Sequence, residues 1–575
     1  MKYIAAILLG IATLSLQAQD VEGFFGDISK RIKNKEFFKI SGNAGARAGY
    51  NFFSDRGSGA LQRNTDVNYG LSAGLNIDFL GIKAPFTAAY SNRNALYNLP
   101  SYAFAGLSPS YKWITLHGGD RSMQFSPYSL AGVNFRGGGI ELEPGKFYFG
   151  AMRGRLRRAR IEDAGSIQDI ETAYRRIGNG VKLGYNGGKT QVYTSLFSSS
   201  DELTISPNDL DTLLDARPER NLVLTLSGAQ QISSLLKVEG EWARSVLTRD
   251  DRAPEVVDPS GPTRLFGLFN PKTTTTAASA YNVNVSFSPK FGTVNLRYER
   301  VEPEYRTHGT LFFQNDLENI TTGVNAPLFE GKLNLAANVG LQRNDLDNSS
   351  AATNRRFIGS INANYTVNDR LNFGLSLSNF TTTDRFKAIA RNLVVDSIVI
   401  AQTQQSADLT GSYMLDALGE NVLVFSTSYQ RAALIQDDEI QGDQLTRFGM
   451  LMLSYARQPQ GGNGSFNAGL LAHRNVTPVL TIMTVGPNVG YNRTLFEEKG
   501  SVGINASYQI ALTDFDDGSL EDTSDGVLQS GANAGYQITE TQSVNFSASY
   551  IFAGGSAARP GYNDLQLGLS YGLSF

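Results

Sequence analysis

Residues 565–575, LQLGLSYGLSF, decide the fold class of this chain. Every odd position holds a large apolar side chain, and the even positions hold Gln, Gly or Ser. Successive side chains of an extended strand point to opposite faces, so this stretch has one apolar face and one small, polar face. A tilted strand of about 9–11 residues crosses a bilayer. The stretch therefore predicts a membrane-spanning β-strand.

The composition favours β structure over membrane-spanning helices. The 575 residues include 59 Gly, 25 Tyr and 33 Phe, and after the N-terminal stretch no apolar run approaches the roughly 18–20 residues that a spanning helix needs. The formal net charge of −3 gives no indication of nucleic acid as a partner. Because the chain has no Cys, disulfides, thiol catalysis and Cys-ligated zinc are excluded.

The N-terminal residues predict export. Residues 1–18 combine Lys2, an apolar core from Ile4 to Leu16 and the small residue Ala18, which is the pattern of a secretory signal peptide. Residues 19–38 have apolar side chains at near-helical spacing, typical of a short amphipathic segment. We expect this segment on the periplasmic side or inside the mouth of a barrel.

The pattern of the first stretch recurs from residue 39 onward. Val502, Ile504 and Ala506 alternate with small polar residues, and many other runs do the same. Short links, such as Gly81–Ile82, Gly187–Gly188 and Glu330–Gly331, alternate with much longer polar loops. Short periplasmic turns and long extracellular loops are typical of an outer-membrane barrel, whereas a soluble sandwich has no reason to sort its loops by length.

Residues 39–575 are therefore predicted to form an all-β, transmembrane antiparallel up-and-down barrel. Counting hairpins gives about 24 strands, within a range of 22–26. Residues 93–131 fit neither a single strand nor a short turn, so we expect either a lumenal excursion that narrows the barrel or one extra pair of strands. A barrel of about 22 strands leaves a hole that needs filling. That filling could come from residues 93–131, the long loops, the N-terminal segment or another protein.

A run of arginines is the strongest local charge pattern. Arg153, Arg155 and Arg157 repeat with period 2, and Arg121 and Arg136 precede them in the sequence. Arg on a lipid-facing surface costs about 2–4 kcal/mol near the bilayer midplane, so these five side chains are predicted to form a lumenal constriction that could favour anions. The alternative is an internal salt-bridge network that holds a loop in place, with partners among Glu141, Glu143, Glu162 and Asp163.

The sequence gives no catalytic, metal or cofactor site. His117, His308 and His473 are the only histidines, and nothing places a Ser or Asp beside any of them. The acidic stretch 514–522 lacks the spacing of a calcium loop. A barrel hydrolase is therefore the least favoured function.

With the export signal and the alternating strands in place, the chain resembles bacterial outer-membrane β-barrel proteins of the porin-like kind. Residues 93–160 also resemble, in their general sequence character, large barrels of Bacteroidetes-type outer membranes. The resemblance implies a Gram-negative outer membrane as location, its lipid as surroundings, and recognition of Tyr571, Leu573 and Phe575 by the barrel-assembly machinery. We expect neither the plug domain of TonB-dependent receptors nor the extra domains of usher-type barrels in this chain.

Two functions follow from this architecture. The first is a porin-like passive channel for transport, in which the arginines could favour anions. The second is a non-conducting subunit of a larger outer-membrane assembly or secretion complex, with outer-membrane protein partners docked on its loops.

Overall fold

A computed structural model describes residues 38–55, 67–92, 104–159, 173–202, 217–257, 259, 261–387, 399–436, 439–515, 522–555 and 561–575. The predicted signal peptide, nearly all of the N-terminal segment, residues 93–103 and the carboxylates Glu162 and Asp163 lie outside these ranges. None of the helices in the described part of the chain is long and apolar enough to cross a membrane.

The described residues form 28 strand segments in one antiparallel sheet. The segments are β1 (Phe38–Asp55), β2 (Val67–Phe79), β3 (Ile82–Ser91), β4 (Phe104–Leu107), β5 (Ser110–Tyr111), β6 (Ile114–Arg121), β7 (Phe135–Leu142), β8 (Phe147–Arg157), β9 (Arg175–Asn186), β10 (Thr190–Glu202), β11 (Arg220–Gln231), β12 (Leu236–Thr248), β13 (Thr275–Phe287), β14 (Thr293–Val301), β15 (Leu317–Leu328), β16 (Leu333–Arg343), β17 (Ala352–Asn368), β18 (Leu371–Phe386), β19 (Val399–Met414), β20 (Asn421–Gln436), β21 (Glu439–Ile440), β22 (Thr446–Arg457), β23 (Gly464–Val476), β24 (Thr481–Leu495), β25 (Gly500–Asp514), β26 (Thr523–Thr539), β27 (Gln542–Ala553) and β28 (Tyr562–Ser574). A four-residue helix, α1 (Gly261–Arg264), and a 3-10 turn, Gly442–Gln444, lie in the loops.

The sheet closes on itself. The last strand pairs with the first, with Leu567 opposite Tyr50 and Leu565 opposite Phe52. The barrel predicted from the alternating pattern is thus closed by pairing of residues 562–574 with residues 43–55. Closure leaves no free edge, so every wall strand has two neighbours.

The wall contains 26 strands, because β4 with β5, and β21 with β22, each occupy one position. The count lies at the upper end of the predicted range of 22–26. The additional pair comes from residues 104–121, since β4, β5 and β6 pair as wall strands between β3 and β7. The second alternative for residues 93–131, one extra pair of strands, therefore holds for this part of the excursion.

The short links predicted from the sequence fall in the turns between paired strands. Gly81, with φ of 90°, joins β2 to β3, and Gly331, with φ of 85°, joins β15 to β16. Glycine adopts positive φ without the steric cost that a side chain adds, so these positions favour tight turns. A further turn at Lys112 joins β5 to β6.

The two faces of the wall differ in composition. The face that carries Tyr50, Phe52 and Leu569 carries the exposed large apolar residues of most other strands, such as Leu341 and Ile504. We call it the outer face. The opposite, lumenal face carries small and polar residues, Gln566 and Ser570 in β28. An apolar outer face and a polar interior are the arrangement expected of a barrel in a lipid bilayer.

Candidate functional site

Two chain segments leave the wall and pack together against its lumenal face. Residues 122–134 link β6 to β7, and residues 302–316 link β14 to β15. We call these two segments the lumenal layer. They form the filling that a barrel of this width requires, in the sector of the lumen lined by β7 to β15.

The first segment of the lumenal layer has its own apolar core. Its buried side chains Met123, Phe125, Leu130 and Val133 cluster with wall residues Phe135, Met152, Phe197 and Val223. Glycines on the wall allow the close approach. A Cβ at Gly180 would collide with the Phe125 ring, and a Cβ at Gly139 would collide with the Met123 sulfur. The lumenal face is therefore apolar in this sector.

The two segments of the lumenal layer hold each other. The Tyr305 hydroxyl donates to the Tyr128 carbonyl oxygen at 2.7 Å, and the Thr307 hydroxyl donates to the Ser129 carbonyl oxygen at 2.6 Å. The Ala131 N–H donates to the Gly309 carbonyl oxygen at 2.8 Å. The Tyr305 ring is fully buried and lies 6.3 Å from the Tyr128 ring in an edge-on arrangement. The layer is thus one packed unit and not two independent loops.

Polar contacts attach the layer to the wall. The Tyr128 hydroxyl donates to Glu299 at 2.6 Å and accepts a bond from the Asn282 amide at 3.0 Å. The Ser126 hydroxyl bonds Glu241 on β12. Burial, followed by the bond to Glu299, raises the pKa of the Tyr128 hydroxyl well above its usual range. Tyr128 is therefore neutral and can donate its proton to the Glu299 hydrogen bond.

A buried ionic cluster lies at the other edge of the layer. Arg176 donates to both Asp201 oxygens at 2.7 and 2.8 Å and to Glu219 at 2.7 Å. Arg157 donates to Asp201 at 3.2 Å, and the Asp201 side chain is fully buried. His308 of the lumenal layer joins the cluster, with its Nε2 3.2 Å from Glu219. Charged groups inside a protein are tolerated when they are paired in this way.

His308 also connects the layer to β10. Its Nδ1 lies 2.8 Å from the Ser199 hydroxyl. Burial lowers the pKa of His308, and the nearby Arg176 charge lowers it further. The imidazole is therefore neutral at neutral pH, which suits a group that bridges a hydroxyl and a carboxylate.

The five predicted constriction arginines separate into two groups. Arg121 and Arg157 lie on the lumenal face, where Arg121 donates to the Thr87 hydroxyl at 2.9 Å and to the Pro85 carbonyl oxygen at 2.8 Å. Arg136, Arg153 and Arg155 lie on the outer face. They alternate with Phe135, Met152 and Leu156, which pack in the core of the lumenal layer.

The expected lumenal orientation therefore does not hold for Arg136, Arg153 and Arg155. A register shift between Arg155 and Arg157 returns Arg157 to the lumenal side. Apolar Met152 and Leu156 face inward because residues 122–134 give them an apolar partner there. Of the predicted constriction, only Arg121 and Arg157 can contribute from the wall.

The alternative salt-bridge network exists with different partners. Arg157 pairs with Asp201, which the sequence did not indicate because the two residues lie on different strands. Glu141 bonds His117 at 2.9 Å and the Tyr148 hydroxyl at 2.5 Å. Lys182 lies over the Tyr148 ring on the same lumenal face, 5.4 Å from its centroid.

Two of the histidines stand between a serine and a glutamate. His117 contacts the Ser108 hydroxyl at 2.9 Å and Glu141, and His308 contacts Ser199 and Glu219. Such a chain of groups is the arrangement that activates a serine in hydrolases. Ser199 is 2% exposed and Ser108 is 9% exposed, so neither hydroxyl is open to a substrate. The contacts serve to join segments of the barrel.

Away from the lumenal layer the inner wall carries exposed polar side chains. Asn362, Asn505, Asn533 and Gln566 are lumenal residues, and all four are exposed. These strands carry no packed layer among the described residues. The lumen is thus lined by packed protein on one side and by exposed amides on the other.

No protein-family model matches the chain, and no curated protein matches it. Among solved structures it is similar to the P pilus usher (PapC) translocation pore, at 11% identity and a TM-score of 0.39, covering 93% of this chain and 99% of that one. It is similar to the siderophore receptor PirA from Pseudomonas aeruginosa, at 11% identity and a TM-score of 0.38, covering 93% and 80%. It is similar to OccAB2 from Acinetobacter baumannii, at 9% identity and a TM-score of 0.29, covering 67% and 97%.

Proposed function

We propose that this protein is a passive, porin-like channel of a Gram-negative outer membrane. The observation that carries the proposal is the closed barrel whose lumen the described residues fill only in part, with exposed Asn505 and Asn533 on the wall that the lumenal layer leaves uncovered. The apolar outer face supports a membrane location. A wall of exposed amides suits small polar solutes, because it can hydrogen-bond them without holding a fixed charge.

The arginines of β8 do not provide free positive charge in the lumen. Arg153 and Arg155 face outward, and the charge of Arg157 is balanced by Asp201. We therefore propose a channel whose selectivity is set by the exposed polar wall. A ring of charged side chains in a lumen changes ion preference. Charged substitutions on this wall therefore test whether it sets the selectivity of the channel.

Conductance in planar bilayers tests the proposal. We expect steady currents from the purified protein, and a shift towards cations in the double variant Asn505→Glu/Asn533→Glu. The matched control, Asn505→Gln/Asn533→Gln, has similar volume without charge and should keep the original preference. An electrically silent barrel, or identical ion preference in both double variants, would contradict a channel through this part of the lumen.

One observation favours the alternative, a subunit of a larger outer-membrane assembly. Residues 261–269 fold over the outer face, where Leu265 and Phe269 are buried against Leu222 and Val246. The Phe266 side chain beside them is 84% exposed. A partner protein could cover this apolar group. Stoichiometric co-purification of a partner from native membranes, lost in Phe266→Ser, would support the alternative; a monomeric protein in mild detergent would contradict it.

A further inference from the structure

Four arginines form a group on the outer face, at the long-loop ends of β7, β8 and β9; three of them are exposed and Arg155 is half-buried. They are Arg136, Arg153, Arg155 and Arg175, and we call them the outer arginine patch. Arg136 is 45% exposed and Arg175 is 44% exposed. Arg153 is also exposed. A surface that meets lipid disfavours arginine unless the charge reaches the headgroup region or an anion.

The patch has more positive than negative charge. Arg155 stands directly opposite Arg136 across the β7–β8 pair, and like charges in this position destabilise a sheet. Asp120 pairs with Arg136, at 2.8 Å between Arg136 Nε and Oδ1, and Glu202 pairs with Arg175 at 3.3 Å. Among the described residues, Arg153 and Arg155 form no ion pair. A bound anion would offset the repulsion.

Three successive rows of outer-face residues run across β6, β7 and β8. The row nearest the short turns is apolar, with Leu116, Ile140 and Ala151 side by side. The middle row is Gly118, Gly138 and Arg153. The third is the charged row Asp120, Arg136 and Arg155.

The two glycines make the middle row a shallow depression. A Cβ at Gly118 would meet nothing within 4 Å, and one at Gly138 would meet only the His117 carbonyl oxygen at 3.6 Å. Arg153 borders this open space. Apolar residues lie on one side of the depression and arginines on the other, which matches the polarity of an amphiphile with an anionic head.

We propose that the outer arginine patch binds the phosphate groups of a phosphorylated lipid in the outer leaflet. The proposal rests on the outer-membrane location given under the proposed function, and not on conductance. Guanidinium groups bind phosphate through two parallel hydrogen bonds. The apolar row favours a lipid over free phosphate because it contacts the acyl chains.

Other outward arginines support a lipid as the source of the phosphate. Arg343 stands opposite Arg355, and Arg431 stands opposite Arg447, also at the long-loop ends of their strands. A headgroup layer surrounds the whole barrel, so a lipid explains arginines at several positions around the wall. The patch on β7–β9 differs from these by its glycine depression.

Binding of bisphosphorylated lipid A to the full-length protein in detergent tests the proposal. We expect Arg153→Gln/Arg155→Gln to bind it roughly thirtyfold more weakly than the unchanged protein, since each arginine near a lipid headgroup contributes about 1 kcal/mol and two are removed. The control Arg47→Gln/Arg356→Gln removes two lumenal arginines and should bind like the unchanged protein. Inorganic phosphate at the same phosphate concentration should not displace the lipid.

Each outcome decides one part of the proposal. If the unchanged protein, the double variant and the control bind lipid A equally, the proposed lipid site is wrong. An acidic protein would then be the expected partner of the outer arginine patch. Displacement by inorganic phosphate would overturn the lipid as ligand. Heat-modifiable gel migration checks that the double variant folds. If the double variant does not fold, Arg155→Gln alone is used in its place, and we expect it to bind lipid A several-fold more weakly than the unchanged protein. A silent barrel that binds lipid contradicts only the channel, whereas a conducting barrel without binding contradicts only this site.

Discussion

Tyr305 joins the two segments of the lumenal layer. It is fully buried, its hydroxyl bonds the Tyr128 carbonyl oxygen, and its ring lies 5.2 Å from the Phe313 ring. Replacing a buried aromatic residue with Ala costs about 3–5 kcal/mol. In Tyr305→Ala this lost free energy destabilises the docked conformation of residues 302–316. The barrel wall is not destabilised, because its strands keep their own hydrogen bonds.

The expected result is a layer that opens more often. A loss of about 3–5 kcal/mol corresponds to roughly two to four orders of magnitude in the opening equilibrium. Amide hydrogen exchange in residues 302–316 should accelerate by that factor, and single-channel conductance should rise or become noisier. The wall strands should exchange as slowly as before.

Tyr305→Phe is the matched control for this experiment. It keeps the ring packing and removes one hydrogen bond, which costs only about 1 kcal/mol. Its exchange should therefore change by roughly one order of magnitude or less. If Tyr305→Ala exchanges and conducts like the unchanged protein, the lumenal layer does not depend on this contact and does not narrow the pore.

Three further predictions address the ionic cluster, the acid response and the outer face. Asp201→Asn leaves the buried Arg176 charge without its main partner and should destabilise the protein by about 3–5 kcal/mol in denaturant unfolding. The control Glu202→Gln, in the exposed pair with Arg175, should change stability by about 0–1 kcal/mol. Equal effects of the two substitutions would contradict a stabilising role of the buried ionic cluster. Burial lowers the pKa of His308 below its ordinary value of 6.5, so docking of the layer should be fully stable above about pH 6.5 and weaken as the pH falls below it. Hydrogen exchange of residues 302–316 should then accelerate in acid, and a His308→Gln variant that shows the same acceleration would refute this cause. Leu567→Arg on the outer face should cost about 2–4 kcal/mol near the midplane and reduce the heat-modifiable folded fraction, while the lumenal change Gln566→Arg should not.

The neighbouring histidine contacts show a limit of sequence reasoning about sites. His308 meets Ser199 and Glu219 only because residues 302–316 fold back into the lumen. His308 lies 109 positions after Ser199, and the three residues share no spacing motif. Their contacts have no local pattern from which they could be predicted.

The alternating pattern was enough to predict the barrel and its closure. Each strand shows its two faces through period 2, which is a local property of the extended backbone. The pairing of β28 with β1 followed because a spanning sheet cannot leave a free edge in lipid. The short turns at Gly81 and Gly331 were predicted for the same local reason, since glycine accepts positive φ.

Only the tertiary structure decided which face of β8 points inward. The sequence by itself determined that Arg153 and Arg155 share a face opposite Met152 and Leu156, and the usual rule assigns the apolar face to lipid. The rule fails here because residues 122–134 bring an apolar surface into the lumen, where Met152 and Leu156 pack against it. Such a contact between distant segments forms only in the folded barrel. In this sector the apolar side chains of the alternating pattern therefore face the lumen, and the arginines face outward.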